Sequence, residues 1–237
     1  MQISPINIST KKINQNASKE ADFKGKTKAY SPYTRGQKAT VFATTALGVA
    51  TSCALLAKSK GHTLSPKKMF KNIKNSYLAK VFYEWPEVTA IGAGSCLGGL
   101  AGGYLIDKNK ENRKAKQREA IMHFGNIAIP IFTVGMVVDN LFKNSKPLIK
   151  AGAGFAGIVG GLYLANFVTN KTCNLLFKDK SQERGIEVTD LPAHLDDAVV
   201  SAGYIFPKSK LVFGLSRIIP LALMVAGNEV GTKTRDF

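Results

Sequence analysis

IGAGSCLGGLAGGYLIDK, residues 91–108, places six glycines in the twelve positions 92–103. Such a stretch is either a phosphate-cradling turn or a helix surface built for contact. A dinucleotide-binding turn needs a strand before its glycines, a helix opening on them, and a second strand ending in an acidic residue. VTAIGAG, 88–94, can supply the first strand, but YLIDKNKENRKAKQREA, 104–120, is a charged connection with no second apolar strand. Later, Gly152, Gly154 and Gly157 satisfy GxGxxG and Asp179 follows at a tolerable distance. The strand before them would be PLIKA, which is short and carries Lys150. A soluble nucleotide-dependent enzyme is therefore only the third reading of this chain.

As a helix the same residues fall into order. Gly94, Gly98 and Gly102 are spaced by four, and Ser95, Gly99 and Gly103 form a second row one position along, with Leu97, Leu100 and Tyr104 opposite. Ala153, Gly157, Gly161 and Ala165 repeat the spacing, with Phe155, Val159 and Leu162 on the far side. Rows of small residues at this interval let helix backbones approach closely in lipid. Six helical glycines cost on the order of 5 kcal/mol relative to alanines. Close packing against a partner helix is the available compensation, so these ten small residues are expected to be helix-packing positions of glycine-zipper type.

The wider chain supports a membrane setting. Uncharged or nearly uncharged runs occupy 39–57, 88–106, 121–138, 151–169 and 211–228, and 19 helical residues span about 28 Å. Hydrophobic residues make up 45% of the 237, yet 33 Lys and Arg face only 16 Asp and Glu. That combination places apolar spans between short basic loops and suggests a bilayer with anionic headgroups as the partner. The expected fold is an all-α, polytopic helical membrane protein of about five spans. Residues 1–35 read as a disordered basic tail, 36–232 as the helical membrane domain, and 233–237 as a C-terminal tail. Within the domain, 66–83 has the composition of an interfacial helix, with Ser65 as N-cap, Pro66 at the first helical position and apolar residues at Phe70, Ile73, Tyr77 and Val81. The 170–210 loop reads as soluble with one short helix, starting from Asp190 and Pro192 and carrying Leu191, Leu195, Val199 and Ala202. The N-terminal sequence has neither the apolar core of a signal peptide nor a transit-peptide pattern, so insertion is expected to use internal segments. Basic residues favour the N-terminal tail and the 107–120 and 170–210 loops, which puts the N-terminus on the cytoplasmic side and, after five passes, the C-terminus on the other.

Chemistry-bearing residues are sparse. Cys53, Cys96 and Cys173 show no metal-ligand spacing and read as small buried residues, and no metal or cofactor is implied. The sequence holds no P-loop, HExxH or nucleophile–base pair, so the chain does not read as an enzyme. Its basic stretches lack the aromatic interleaving of a nucleic-acid surface. His194 with Asp196 and Asp197 reads as a solvated helix face, and His123 as an interfacial residue. Two intramembrane polar residues stand out: Arg217, within snorkelling reach of an interface, and Asn126, near Pro130 in a run that the proline should kink. The leading expectation is a structural or assembly protein associating through glycine-faced helices, within the chain or as a homo-oligomer. The rival is a small transporter or channel with a polar site near Arg217 and Asn126, its substrate unspecified by the sequence.

Overall fold

The computed structural model describes residues 33–62, 85–178 and 209–235, with Gly185, Ala198, Val199, Ala202, Gly203 and Phe206 between the last two stretches. Among these residues the chain is all-helical, and five helices are long and apolar enough to cross a membrane. α1 is Arg35–Ser59, α2 is Trp85–Ile106, and α3 is Lys110–Met136, continued by a π-helical turn Val137–Leu141. α4 is Pro147–Phe177. The last span is two pieces, α5 (Lys210–Ser216) and α6 (Ile219–Thr232), joined through Arg217 and Ile218, whose backbone stays helical. Pro220 lies in the first turn of α6, where a missing N–H breaks no intrahelical bond. Pro130 remains inside α3. The proposed interfacial helix 66–83 and almost all of the 1–35 tail lie outside the described residues, as do His194, Asp196 and Asp197.

Two boundaries differ from the sequence reading. The charged stretch 107–120 is not a loop, because α3 begins at Lys110 with the Asn109 side chain accepting from Glu111 N–H at 2.9 Å. Lys116 and Glu119 meet partners inside the bundle while Lys108, Lys110 and Lys114 stay exposed, so charge does not stop the helix. The 170–210 loop likewise loses its first residues to α4, which runs on to Phe177 because Thr169 and Cys173 continue the buried row and Lys178 ends it in the left-handed conformation. Of the short helix expected in that loop, Ala198, Val199, Ala202 and Gly203 are helical, and Val199 is buried in the core.

α2 is the central helix, packed on α1, α3 and α6, whereas α4 packs on α3. Its first row faces α1: a Cβ built on Gly94 would lie 2.6 Å from Gly48 O, on Gly98 2.9 Å from Thr45 Cα, and on Gly102 2.9 Å from Val41 Cα. Its second row faces α6, where a Cβ on Gly99 would lie 2.9 Å from Gly227 Cα and one on Gly103 2.8 Å from Gly231 O. Between α4 and α3, a Cβ on Gly157 would come within 3.1 Å of Val134 Cα and one on Gly161 within 2.5 Å of Pro130 Cα, with Ala153 and Ala165 buried in the same row. Side chains in place of these glycines would meet backbone, which cannot rotate away.

Hydroxyls fasten the same contacts. Ser95 Oγ donates to Leu223 O at 2.6 Å and accepts from Gly227 N at 3.1 Å, entering the hydrogen-bond ladder of α6 between a carbonyl and the amide four residues on. Thr133 Oγ1 donates across to Gly157 O at 2.9 Å.

The register fixes the direction of each helix. Ser95 pairs with Leu223, Gly99 with Gly227 and Gly103 with Gly231, so α2 and α6 run parallel. α4 is antiparallel to α3, since Gly157 meets Val134 while Cys173 meets Arg118 O. α1 and α3 therefore begin at the end where α2, α4 and α6 finish, called here the Asp107 end. The opposite end carries the Lys60–Glu87 ion pair, 2.5 Å. Five alternating passes would send the C-terminus to the Glu87 end. Instead Lys233 lies at the Asp107 end, and Lys178 and Ser209 sit at opposite ends of the bundle.

Candidate functional site

At the Asp107 end a continuous polar network joins four helices. Its core is Lys116, whose side chain is 0% exposed although the residue sits in the second turn of α3. The ammonium donates to Tyr33 Oη at 2.7 Å and to the carbonyl of Lys233, and lies 3.5 Å from Asp107 Oδ2. Tyr33 in turn donates to Asp107 Oδ2 at 2.5 Å. Asp107 also accepts from Asn112 Nδ2 at 2.8 Å and from Asn109 N–H at 2.9 Å. A lysine ammonium has three protons, and three acceptors surround this one. Around the core, Arg113 donates to the Asp107 and Tyr104 carbonyls at 3.0 and 3.2 Å, and Gln37 donates to Ile106 O at 3.4 Å. These side chains satisfy carbonyls left without partners where α2 ends.

A second cluster lies deeper. His123 Nε2 is 3.2 Å from Glu119 Oε1, one turn back on α3, and 3.1 Å from Glu229 Oε2 on α6. Lys233 Nζ approaches Glu119 Oε2 at 3.5 Å. Lys233 thus belongs to both clusters, its carbonyl held by Lys116 and its ammonium beside Glu119. Farther out, Arg235 pairs with Glu111 and its N–H donates to Asn112 Oδ1 at 3.1 Å. The residues after α6 are therefore pinned to the start of α3.

Charge and burial act in opposite directions on Asp107 and in the same direction on Tyr33. Burial raises the Asp107 carboxyl, but the hydrogen bonds from Tyr33, Asn109 and Asn112 and the charge of Lys116 outweigh it and hold Asp107 below its ordinary range. Burial and the neighbouring carboxylate both push the Tyr33 phenol up, so it stays a donor. The stability that Asp107 contributes is complete above the carboxyl's unfolded value of about 3.9 and is lost as pH falls through the lower folded value. Asp107→Asn should therefore melt below wild type at pH 7, with the gap closing as pH falls from 5 to 3. Melting curves that remain parallel over that range would remove Asp107 from this role.

The sequence reading placed His123 at the interface. It is buried, because Glu119 and Glu229 supply polar partners within the bundle. Asn126 is buried in α3, and Arg217 is exposed at the α5–α6 junction. Cys96 and Cys173 are buried and Cys53 half-buried. Tyr33, Asp107, Lys116, Glu119 and Glu229 did not stand out in the sequence. Glu119 and His123 carry the one local signal, a spacing of four on a helix. No protein-family model, curated protein or solved structure matches the chain.

Proposed function

We propose that the protein is an integral membrane protein of structural type, in which glycine-faced helices pack within one chain and a polar network locks one end. The observation that supports this most is α2, whose two rows of small residues lie against the backbones of α1 and α6. Surfaces occupied inside the chain are not available for association between chains, so the unit that the glycines assemble is the monomer. Exposed Phe155, Tyr163 and Phe167 on α4, and Leu97 and Leu105 on α2, are the side chains that lipid would cover. Arg35, Lys38, Lys108, Lys110 and Lys114 gather at the Asp107 end, which on this reading faces the cytoplasm. The test is alkaline carbonate extraction followed by sizing in mild detergent. The chain should stay with the membrane pellet and then run as a monomer. Release into the supernatant would overturn the membrane assignment, and a stable dimer would overturn the intrachain role of the glycines.

A further inference from the structure

Between α1 and α6 runs a groove of about 310 Å³, lined by Phe42, Leu221, Met224, Val225 and Asn228. Its walls are apolar and open sideways, with Phe42 55% and Leu221 65% exposed. Asn228 is the polar member, and it lies toward the Asp107 end, where α6 finishes. On α1, Arg35 and Lys38 precede Phe42 by seven and four residues, so all three share one helix face. The two cations therefore stand about one and two turns beyond the groove, at the same end as Asn228.

The start of α1 is capped by Thr34 and Gln37 but has no carboxylate to balance its charge. Helix N-termini carry partial positive charge and favour acidic residues or bound anions. The first turn of α1 has no acidic residue and instead contains exposed Arg35 and Lys38. The described carboxylates at this end are engaged elsewhere: Asp107 with Tyr33 and Lys116, Glu111 with Lys114 and Arg235, Glu119 with His123 and Lys233, and Glu229 with His123.

We propose that this groove is a binding site for an anionic phospholipid of the surrounding leaflet, with an acyl chain along Phe42, Leu221, Met224 and Val225 and the headgroup phosphate at Arg35 and Lys38. A lipid fits where a water-soluble anion does not, because the apolar groove opens laterally at the depth of the spans and its polar groups lie only at one end. The proposal rests on the membrane reading above and adds a ligand to it.

The full chain, reconstituted in nanodiscs of mixed phosphatidylcholine and phosphatidylglycerol, is transferred to detergent, and the lipids it retains are counted by native mass spectrometry. Wild type should retain phosphatidylglycerol in preference to phosphatidylcholine. Arg35→Gln and Lys38→Gln should each lower that preference about fivefold, the effect of one basic residue near a headgroup. Val225→Trp, which fills the groove, should reduce retention of both lipids. Leu221→Trp is the second groove variant should the first fail to fold. Equal retention of the two lipids by wild type overturns the headgroup site, and unchanged retention by a folded groove variant overturns the acyl-chain site. Failure of wild type to enter nanodiscs overturns the membrane reading itself, and the lipid site with it.

Discussion

Lys116→Met should destabilise the protein by about 3–5 kcal/mol, the usual loss when one member of a buried charged pair is removed. For a chain of this size that corresponds to a melting temperature lower by roughly 6–20 °C. Methionine matches the stem of the lysine but donates nothing, so the Tyr33 oxygen, Asp107 and the Lys233 carbonyl each lose a charged donor. The effect should not be additive with Asp107→Asn, because that change removes the carboxylate left uncompensated. In a double-mutant cycle Asp107→Asn should therefore cost less in the Lys116→Met background than in wild type. Equal costs in the two backgrounds would mean that Lys116 and Asp107 are neighbours without being partners.

Gly98→Leu is the second large effect, with an expected loss of about 1–3 kcal/mol from overpacking. Even the first carbon of the new side chain would lie 2.9 Å from Thr45 Cα, and backbone must move to admit it. Gly99→Leu should behave alike through Gly227, loosening α6 where Gly98→Leu loosens α1. Leu97→Ala is the control on the same helix, since Leu97 is 66% exposed and its loss removes little packing within the bundle. Thermal stability in one detergent should rank Leu97→Ala near wild type and both glycine variants well below it. Were Leu97→Ala the worst of the three, the glycine rows would not be the contact surfaces of α2.

What the sequence revealed and what it hid follow from the range of the interactions. Five apolar runs are legible because hydropathy is local, and all five lie within helices of the structure. The glycine spacing is equally local and marks faces, but spacing does not say which helix lies opposite. Lys116 is the clearest failure of local reading, since in KNKENRKAKQRE it looks like any solvated lysine. It becomes a buried ammonium only because Tyr33, Asp107 and Lys233, distant by up to 117 residues, converge on it. Glu229 sits at the end of an apolar run and gains its meaning from His123 on another helix in the same way. Helix direction was the other hidden quantity. Alternation assigns the last span by counting apolar runs, whereas the Ser95–Leu223 and Gly99–Gly227 contacts set α6 parallel to α2. Lys178 and Ser209 accordingly lie at opposite ends of the bundle, which the count of apolar runs does not foresee.

The start of α1, the start of α3 and the end of α6 meet at one end of the bundle, which on the proposed membrane reading is one face of the bilayer. Single cysteines in place of Lys114, Lys233, Lys60 and Lys146, in a chain whose three native cysteines are replaced, can be labelled in sealed vesicles with a membrane-impermeant maleimide. Lys114→Cys and Lys233→Cys should react from the same side, and Lys60→Cys and Lys146→Cys only from the other. Labelling of Lys233→Cys together with Lys60→Cys, opposite to Lys114→Cys, would contradict the parallel placement of α6 and with it the network that Lys116 holds together.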